Sequence, residues 1–138
     1  MMRARVSRSG VGSAAALAAA IGFFGIGATP AAAQNIVGSW SGGGTIVFPS
    51  GEQERARCRA TFRNAGGGGL SMTGVCATAS VRVSQTATLS RLTANSYSGD
   101  FFNTEYNLSG SIRIRLQGSR LNASLSGGGA TARFVLGR

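Results

Sequence analysis

The sequence predicts an all-β fold, a small antiparallel up-and-down β-barrel, and three features of residues 34–138 predict it. Apolar residues recur with period two and nowhere with the 3.6-residue period of a helix. Clusters of Gly, Ser and Asn break the chain at short intervals, as hairpin turns do. About eight segments result, each with one apolar and one polar face. An up-and-down barrel closes such a set without leaving exposed edges; a two-sheet β-sandwich is the alternative.

An N-terminal signal helix precedes this domain. Arg3, Arg5 and Arg8 open the chain with no acid beside them. An Ala- and Gly-rich apolar run follows, with Leu17, Ile21, Phe23, Phe24 and Ile26. Thr29-Pro30 and the small residues Ala31-Ala32-Ala33 come next. Charged start, apolar middle and small-residue cut are the order of a secretory signal peptide. Cleavage is expected between Ala33 and Gln34, so residues 1–33 form the signal and residues 34–138 a single domain, periplasmic or secreted. A retained anchor is the competing reading, at the lower length limit of a membrane span.

The first strand is expected from about Ile36 to Phe48, broken at Gly42-Gly43-Gly44 and stopped by Pro49-Ser50-Gly51. Residues 54–63 alternate most clearly. Glu54, Ala56, Cys58, Ala60 and Phe62 share one face; Arg55, Arg57, Arg59, Thr61 and Arg63 share the other. Leu70, Met72, Gly74 and Cys76 return after a loop, 64–69, that admits positive φ at its glycines. A hairpin centred on Gly67 sets Phe62 against Met72, Ala60 against Gly74 and Cys58 against Cys76, within disulfide reach. Val81, Val83, Ala87 and Leu89 mark a further strand, and Tyr97, Gly99 and Phe101 a shorter one. Leu108, Gly110, Ile112, Ile114 and Leu116 lead to a turn at Gly118-Ser119, with Gly first as type II′ prefers. Leu121, Ala123 and Leu125 then face Leu116, Ile114 and Ile112. Ala130, Ala132, Phe134 and Leu136 form the last inward set. The pairs Ser41-Gly42, Ser98-Gly99, Ser109-Gly110 and Ser126-Gly127 are expected where strands bend and a side chain would crowd. Trp40 is expected to plug one end of the barrel.

Composition narrows the chemistry. The chain has neither His nor Lys. That removes the commonest general base and metal ligand, and Schiff-base chemistry with them. An oxidising destination suits the two cysteines to a Cys58–Cys76 disulfide. Glu52 and Glu54 resemble a carboxylate pair in spacing but read as solvated charge beside a turn. Asp100 and Glu105 flank Phe101-Phe102 in what reads as a turn, a weak cation signal. Gly66 to Gly69 lacks the Lys and the helix of a phosphate loop. No enzyme, cofactor or metal site is expected.

Arginine carries the positive charge. Three of the 14 basic residues lie in the signal; the remaining 11 against four acids give the domain a net charge of +7. Arg55, Arg57, Arg59, Arg63, Arg113 and Arg115 are the candidate anion-binding face, with Arg82 and Arg133 also outward. A solvated strand exterior is the plainer reading of the same pattern. Few aromatics share that face, which disfavours nucleic acid. Mid-strand arginines disfavour an integral outer-membrane barrel, which needs an apolar outer band.

Gly38-Ser39-Trp40, followed by Cys58-Arg59-Ala60-Thr61-Phe62 and then Cys76, resembles small exported bacterial β-barrels of the calycin kind. Lipocalins carry Gly-x-Trp on the first strand; periplasmic metalloprotease inhibitors add a Cys-Arg strand and a second Cys. The resemblance covers the first half of the domain. It implies a binding or inhibitory protein, but only Gln34 to Val37 precede Gly38, whereas those inhibitors use an N-terminal trunk. Ser126-Gly127-Gly128-Gly129-Ala130 is loosely similar to the Ser-Gly loop of bacterial lysozyme inhibitors. The expectation is an exported, monomeric, non-enzymatic β-barrel binding protein. Its partner is a small ligand or an anionic envelope component, or alternatively a secreted hydrolase that it inhibits. The small inward residues Ala56, Ala60, Gly74, Ala87 and Ala123 leave open whether the interior is hollow or merely narrow.

Overall fold

The computed structural model describes residues 35–138, together with the isolated Gly10, Gly12, Gly22 and Gly25. The expected signal peptide lies outside the described residues. Eight strands run in chain order: β1 Gly38–Val47, β2 Gln53–Asn64, β3 Gly69–Ala77, β4 Arg82–Thr93, β5 Ser96–Asn103, β6 Leu108–Gln117, β7 Arg120–Gly127 and β8 Ala130–Gly137. Each pairs antiparallel with its neighbour in sequence, and β8 returns to β1. The fold is a closed up-and-down barrel rather than a sandwich.

Both expected hairpin registers are present. Phe62, Ala60 and Cys58 face Met72, Gly74 and Cys76 across β2–β3. Leu116, Ile114 and Ile112 face Leu121, Ala123 and Leu125 across β6–β7. Turn chemistry fixes the second. Gly118 adopts φ +62° while Ser119 stays at negative φ, as type II′ requires. Gly128 and Gly129 both take positive φ between β7 and β8, at +59° and +81°.

Two expectations are corrected. β1 is not broken at its glycines; it runs unbroken from Gly38 to Val47 because β2 and β8 hold it from both sides. Asp100-Phe101-Phe102 is not a turn but the middle of β5, with Phe101 inward and Phe102 outward. Inward alternation continues from Tyr97 through Gly99 and Phe101 to Asn103, and the turn lies beyond it at 104–107.

The inward glycines shape the barrel. A Cβ on Gly44 would overlap the Arg133 carbonyl, one on Gly99 the Thr88 carbonyl, and one on Gly110 the Ser126 carbonyl. Adjacent backbones approach so closely there that only glycine fits, which lets a small barrel coil tightly.

The core is asymmetric along the barrel axis. At one end Trp40, Phe62, Leu89, Tyr97, Ile114 and Leu121 are each no more than 2% exposed. Ile36, ahead of β1, is buried with them and its carbonyl accepts the Trp40 Nε1–H at 2.8 Å. The Arg138 guanidinium lies 4.4 Å from the centre of the Trp40 ring and donates to the Asn35 and Val37 carbonyls. Trp40 thus seals one end, as expected, with Arg138 clasping the incoming chain over it. The loops 48–52, 78–81, 104–107 and 128–129 surround the other end.

Candidate functional site

The other end is hollow. A cavity of about 340 Å³ opens there, walled by Ile46, Val83, Phe101, Leu125, Ala132 and Phe134 from inside and by Phe48, Pro49, Val81 and Tyr106 at the rim. All four loops of that end contribute to it. Farther in, the space shrinks to about 30 Å³ between Cys58, Gly74, Ile112, Ala123 and Phe134. That is about the volume of one water, and its apolar lining favours a dry gap. Of the five small inward residues, Ala60, Gly74 and Ala123 border this gap and none lines the cavity: they narrow the filled middle, and the open end is walled by other residues.

The large cavity has the composition of a small-molecule site, mostly apolar with few polar groups. Two carboxamides face inward. Gln85 on β4 and Asn103 on β5 are direct cross-strand partners. Asn103 is the buried polar residue of the barrel, 3% exposed, and its Oδ1 accepts the Tyr106 N–H at 3.1 Å. That bond ties the rim loop to the wall. Neither residue stands out in the sequence on its own, yet a signal exists: each is the polar member of an otherwise apolar inward series, Val83-Gln85-Ala87-Leu89 and Tyr97-Gly99-Phe101-Asn103.

Cys58 and Cys76 form the expected disulfide, with Cα atoms 4.1 Å apart. They face inward beside the small central gap and staple the β2–β3 wall. The bond is structural: both sulfurs are committed, and among the described residues no cysteine is free.

All six arginines of the expected anion face point outward and are exposed. The barrel does not bring them together. Arg55, Arg57, Arg59 and Arg63 lie along β2, and Arg113 and Arg115 on β6, four strands away on the opposite wall. Arg133 on β8 stands between, flanked by Thr45 and Ser124. On the β2 side, Arg57 and Arg59 border an outer groove floored by Gly42 and Gly43, with Arg82 at its far edge.

Two of the four acids are engaged by serines. Glu54 accepts the Ser80 hydroxyl on both oxygens, at 2.7 and 2.8 Å. The Ser80 bond, with Thr78 behind it, holds its carboxyl below the usual range. Glu105 accepts the Ser84 backbone N–H at 3.1 Å, which likewise lowers its carboxyl. Glu52 sits in the 48–52 turn and makes no pair with Glu54, so no dyad forms. Asp100 and Glu105 lie on different elements and make no cation site. Among the described residues, no cluster of potential metal ligands occurs and no helix is long and apolar enough to cross a membrane.

No protein-family model and no curated protein matches the chain. Among solved structures it is similar to a redesigned β-barrel, mFAP1, bound to DFHBI, with a TM-score of 0.64 at 14% identity over 78% of this chain and 98% of that one. It is also similar to a de novo designed fluorescence-activating β-barrel, with a TM-score of 0.59 at 10% identity over 80% of this chain and 99% of that one. The likeness supports the small-barrel half of the resemblance drawn from sequence and does not reach its metalloprotease-inhibitor half. It establishes the fold alone: a small closed antiparallel β-barrel.

Proposed function

We propose that this chain is an exported, non-enzymatic binding protein that holds a small, largely apolar ligand in the open end of its barrel. The observation that carries this reading is the 340 Å³ cavity, within the size range of small-molecule sites and lined by apolar side chains with two inward carboxamides. That mFAP1, a barrel of similar fold, is bound to DFHBI supports a pocketed barrel of this size as a small-molecule container. Absence of His and Lys and the engagement of both cysteines support a role without chemistry on the ligand.

Titration with the neutral fluorophore N-phenyl-1-naphthylamine tests the reading. Wild type is expected to enhance its emission saturably. Ala132→Trp, which fills the cavity from β8, is expected to abolish the enhancement while leaving the fold intact. Equal enhancement by both proteins places the fluorophore elsewhere and removes the proposal.

Export rests on the order of residues 1–33. The matching measurement is the N-terminus of the protein recovered outside the cytoplasm, expected to be Gln34. An intact N-terminus in a membrane fraction contradicts it. The polar outward faces, with Arg55, Arg57, Arg59, Arg113 and Arg115 mid-strand, argue for a barrel surrounded by water rather than lipid.

A second reading is favoured by one feature. The β2 arginines form no ion pair with a carboxylate among the described residues, because Glu54 and Glu105 bond to serines instead. An anionic envelope component fits such a stripe. Retention on heparin that persists well above physiological salt, and falls when Arg55, Arg57 and Arg59 become Ser, supports it; elution at low salt removes it.

A further inference from the structure

The cavity's polar groups restrict its ligand further than its size does. Asn103 Oδ1 is taken by the Tyr106 N–H, but its Nδ2 has no hydrogen-bond partner among the described residues. The Gln85 carboxamide, directly opposite on β4, has none either. Both line the cavity, and Asn103 is 97% buried there, since its exposure is 3%. A buried amide without a partner is unfavourable, so such a pair calls for a group that answers it. No charged side chain lines the cavity. Every arginine on the strands is exposed, and the one on an inward register, Arg91, bonds the Tyr97 hydroxyl at the sealed end, away from the cavity. An ionised ligand group would therefore be stripped of water with no counter-charge.

We infer that the cavity takes an uncharged ligand: an apolar body ending in a hydroxyl or amide oxygen that accepts from Asn103 Nδ2 and is bonded in turn by Gln85. This rests on the reading of the cavity as a ligand site. At about 30 Å³ for a water-sized group, the volume encloses roughly eleven non-hydrogen atoms, and its open mouth lets a larger molecule such as the fluorophore protrude. A fatty acid of that length has the right body and the wrong end; the corresponding alcohol or amide has both right.

Decanol, decanamide and decanoate form a matched series for displacing N-phenyl-1-naphthylamine from the purified protein at about pH 8, where the acid is ionised. Decanol and decanamide are expected to compete at least about tenfold more strongly than decanoate, the scale of one buried hydrogen bond or more. Decanoate competing as well as decanol overturns the inference while leaving the cavity reading intact. Failure of the fluorophore and all three competitors to bind overturns the cavity reading itself. Asn103→Asp keeps the acceptor for Tyr106 and removes the free donor; Gln85→Leu removes the opposite amide and leaves Asn103 untouched. Either variant, once its near-UV circular dichroism matches wild type, is expected to lose decanol competition by about tenfold. Unchanged competition in both overturns the role given to the pair. The wild-type alcohol-to-acid ratio decides the charge question even where a variant does not fold.

Discussion

Replacing Gly99 by Ala adds one methyl group and is expected to cost as much stability as truncating a large core side chain. Gly99 faces inward on β5, opposite Leu89 on β4. The new Cβ would overlap the Thr88 carbonyl oxygen, and lie 2.8 Å from its carbonyl carbon and 3.0 Å from Leu89 Cα. All three atoms are backbone, so no side chain can turn away; β4 and β5 must separate. Overpacking costs about 1–3 kcal/mol when side chains absorb it, and a shift of two paired backbones puts this case at about 3 kcal/mol or more. That is a large share of a stability of about 5–15 kcal/mol. For a domain near one hundred residues it lowers Tm by roughly 12–24 °C. Gly74→Ala is the control, the same change at another inward strand glycine. Its Cβ would sit 3.5 Å from the Arg59 carbonyl oxygen and 3.6 Å from Met72 Cε, ordinary contact distances. There the variant should be neutral or gain about 0.5–1 kcal/mol from the lost chain entropy of glycine. Urea denaturation followed by Trp40 fluorescence compares the two. Equal stability of G99A and G74A would refute close backbone approach as the reason for the inward glycines.

The remaining predictions concern the staple and the rim. Cys58→Ser with Cys76→Ser is expected to lower stability by about 3 kcal/mol, given a sequence separation of 18 between the cysteines. Mass analysis of the unreduced wild-type protein should find no free thiol, and two free thiols contradict the pairing. Glu105 holds the 104–107 loop to β4 through the Ser84 N–H, which keeps its carboxyl below the ordinary value of 4.5. A carboxyl lowered by folding stabilises the native state above its unfolded pKa, and that contribution is lost as pH falls through the lower folded value. The Ser84 amide resonance should therefore titrate with a midpoint below 4.5 and not titrate in that range in Glu105→Ala. A midpoint at or above 4.5 in wild type contradicts the anchor.

Much of the fold is legible in the sequence because strand parity is strict. A one-residue slip would turn Phe62, Met72 and both cysteines outward together, so parity excludes odd slips. A slip of two keeps the faces, and it is the opposition of Cys58 and Cys76 that singles out the observed register. Glycine is legible only in part. The Ser-Gly pairs announce crowding, but Gly42-Gly43-Gly44 reads as a break, because local propensity contains nothing of the two ladders that hold β1 straight through. Asp100-Phe101-Phe102 misleads for a related reason: a charged residue beside two aromatics resembles a turn until the inward series is followed to Asn103. Parity puts the arginines on the correct side and says nothing of their grouping. Neighbourhood around the wall depends on closure, which separates β2 from β6 by four strands. The cavity is least legible. Ala and Gly at inward positions mark thin walls, but whether thin walls collapse or enclose space is decided by where the large side chains fall along the axis. Trp40, Phe62 and Tyr97 all fall at one end.

That one-sided distribution is the centre of the account, and amide NMR with N-phenyl-1-naphthylamine tests it most directly. Shift changes on addition of the fluorophore are predicted at Val83, Gln85, Phe101, Asn103, Leu125 and Ala132, with Trp40, Phe62 and Tyr97 at the sealed end unmoved. Changes confined to the outer faces, or spread equally over both ends, would contradict a barrel that is filled at one end and open for a ligand at the other.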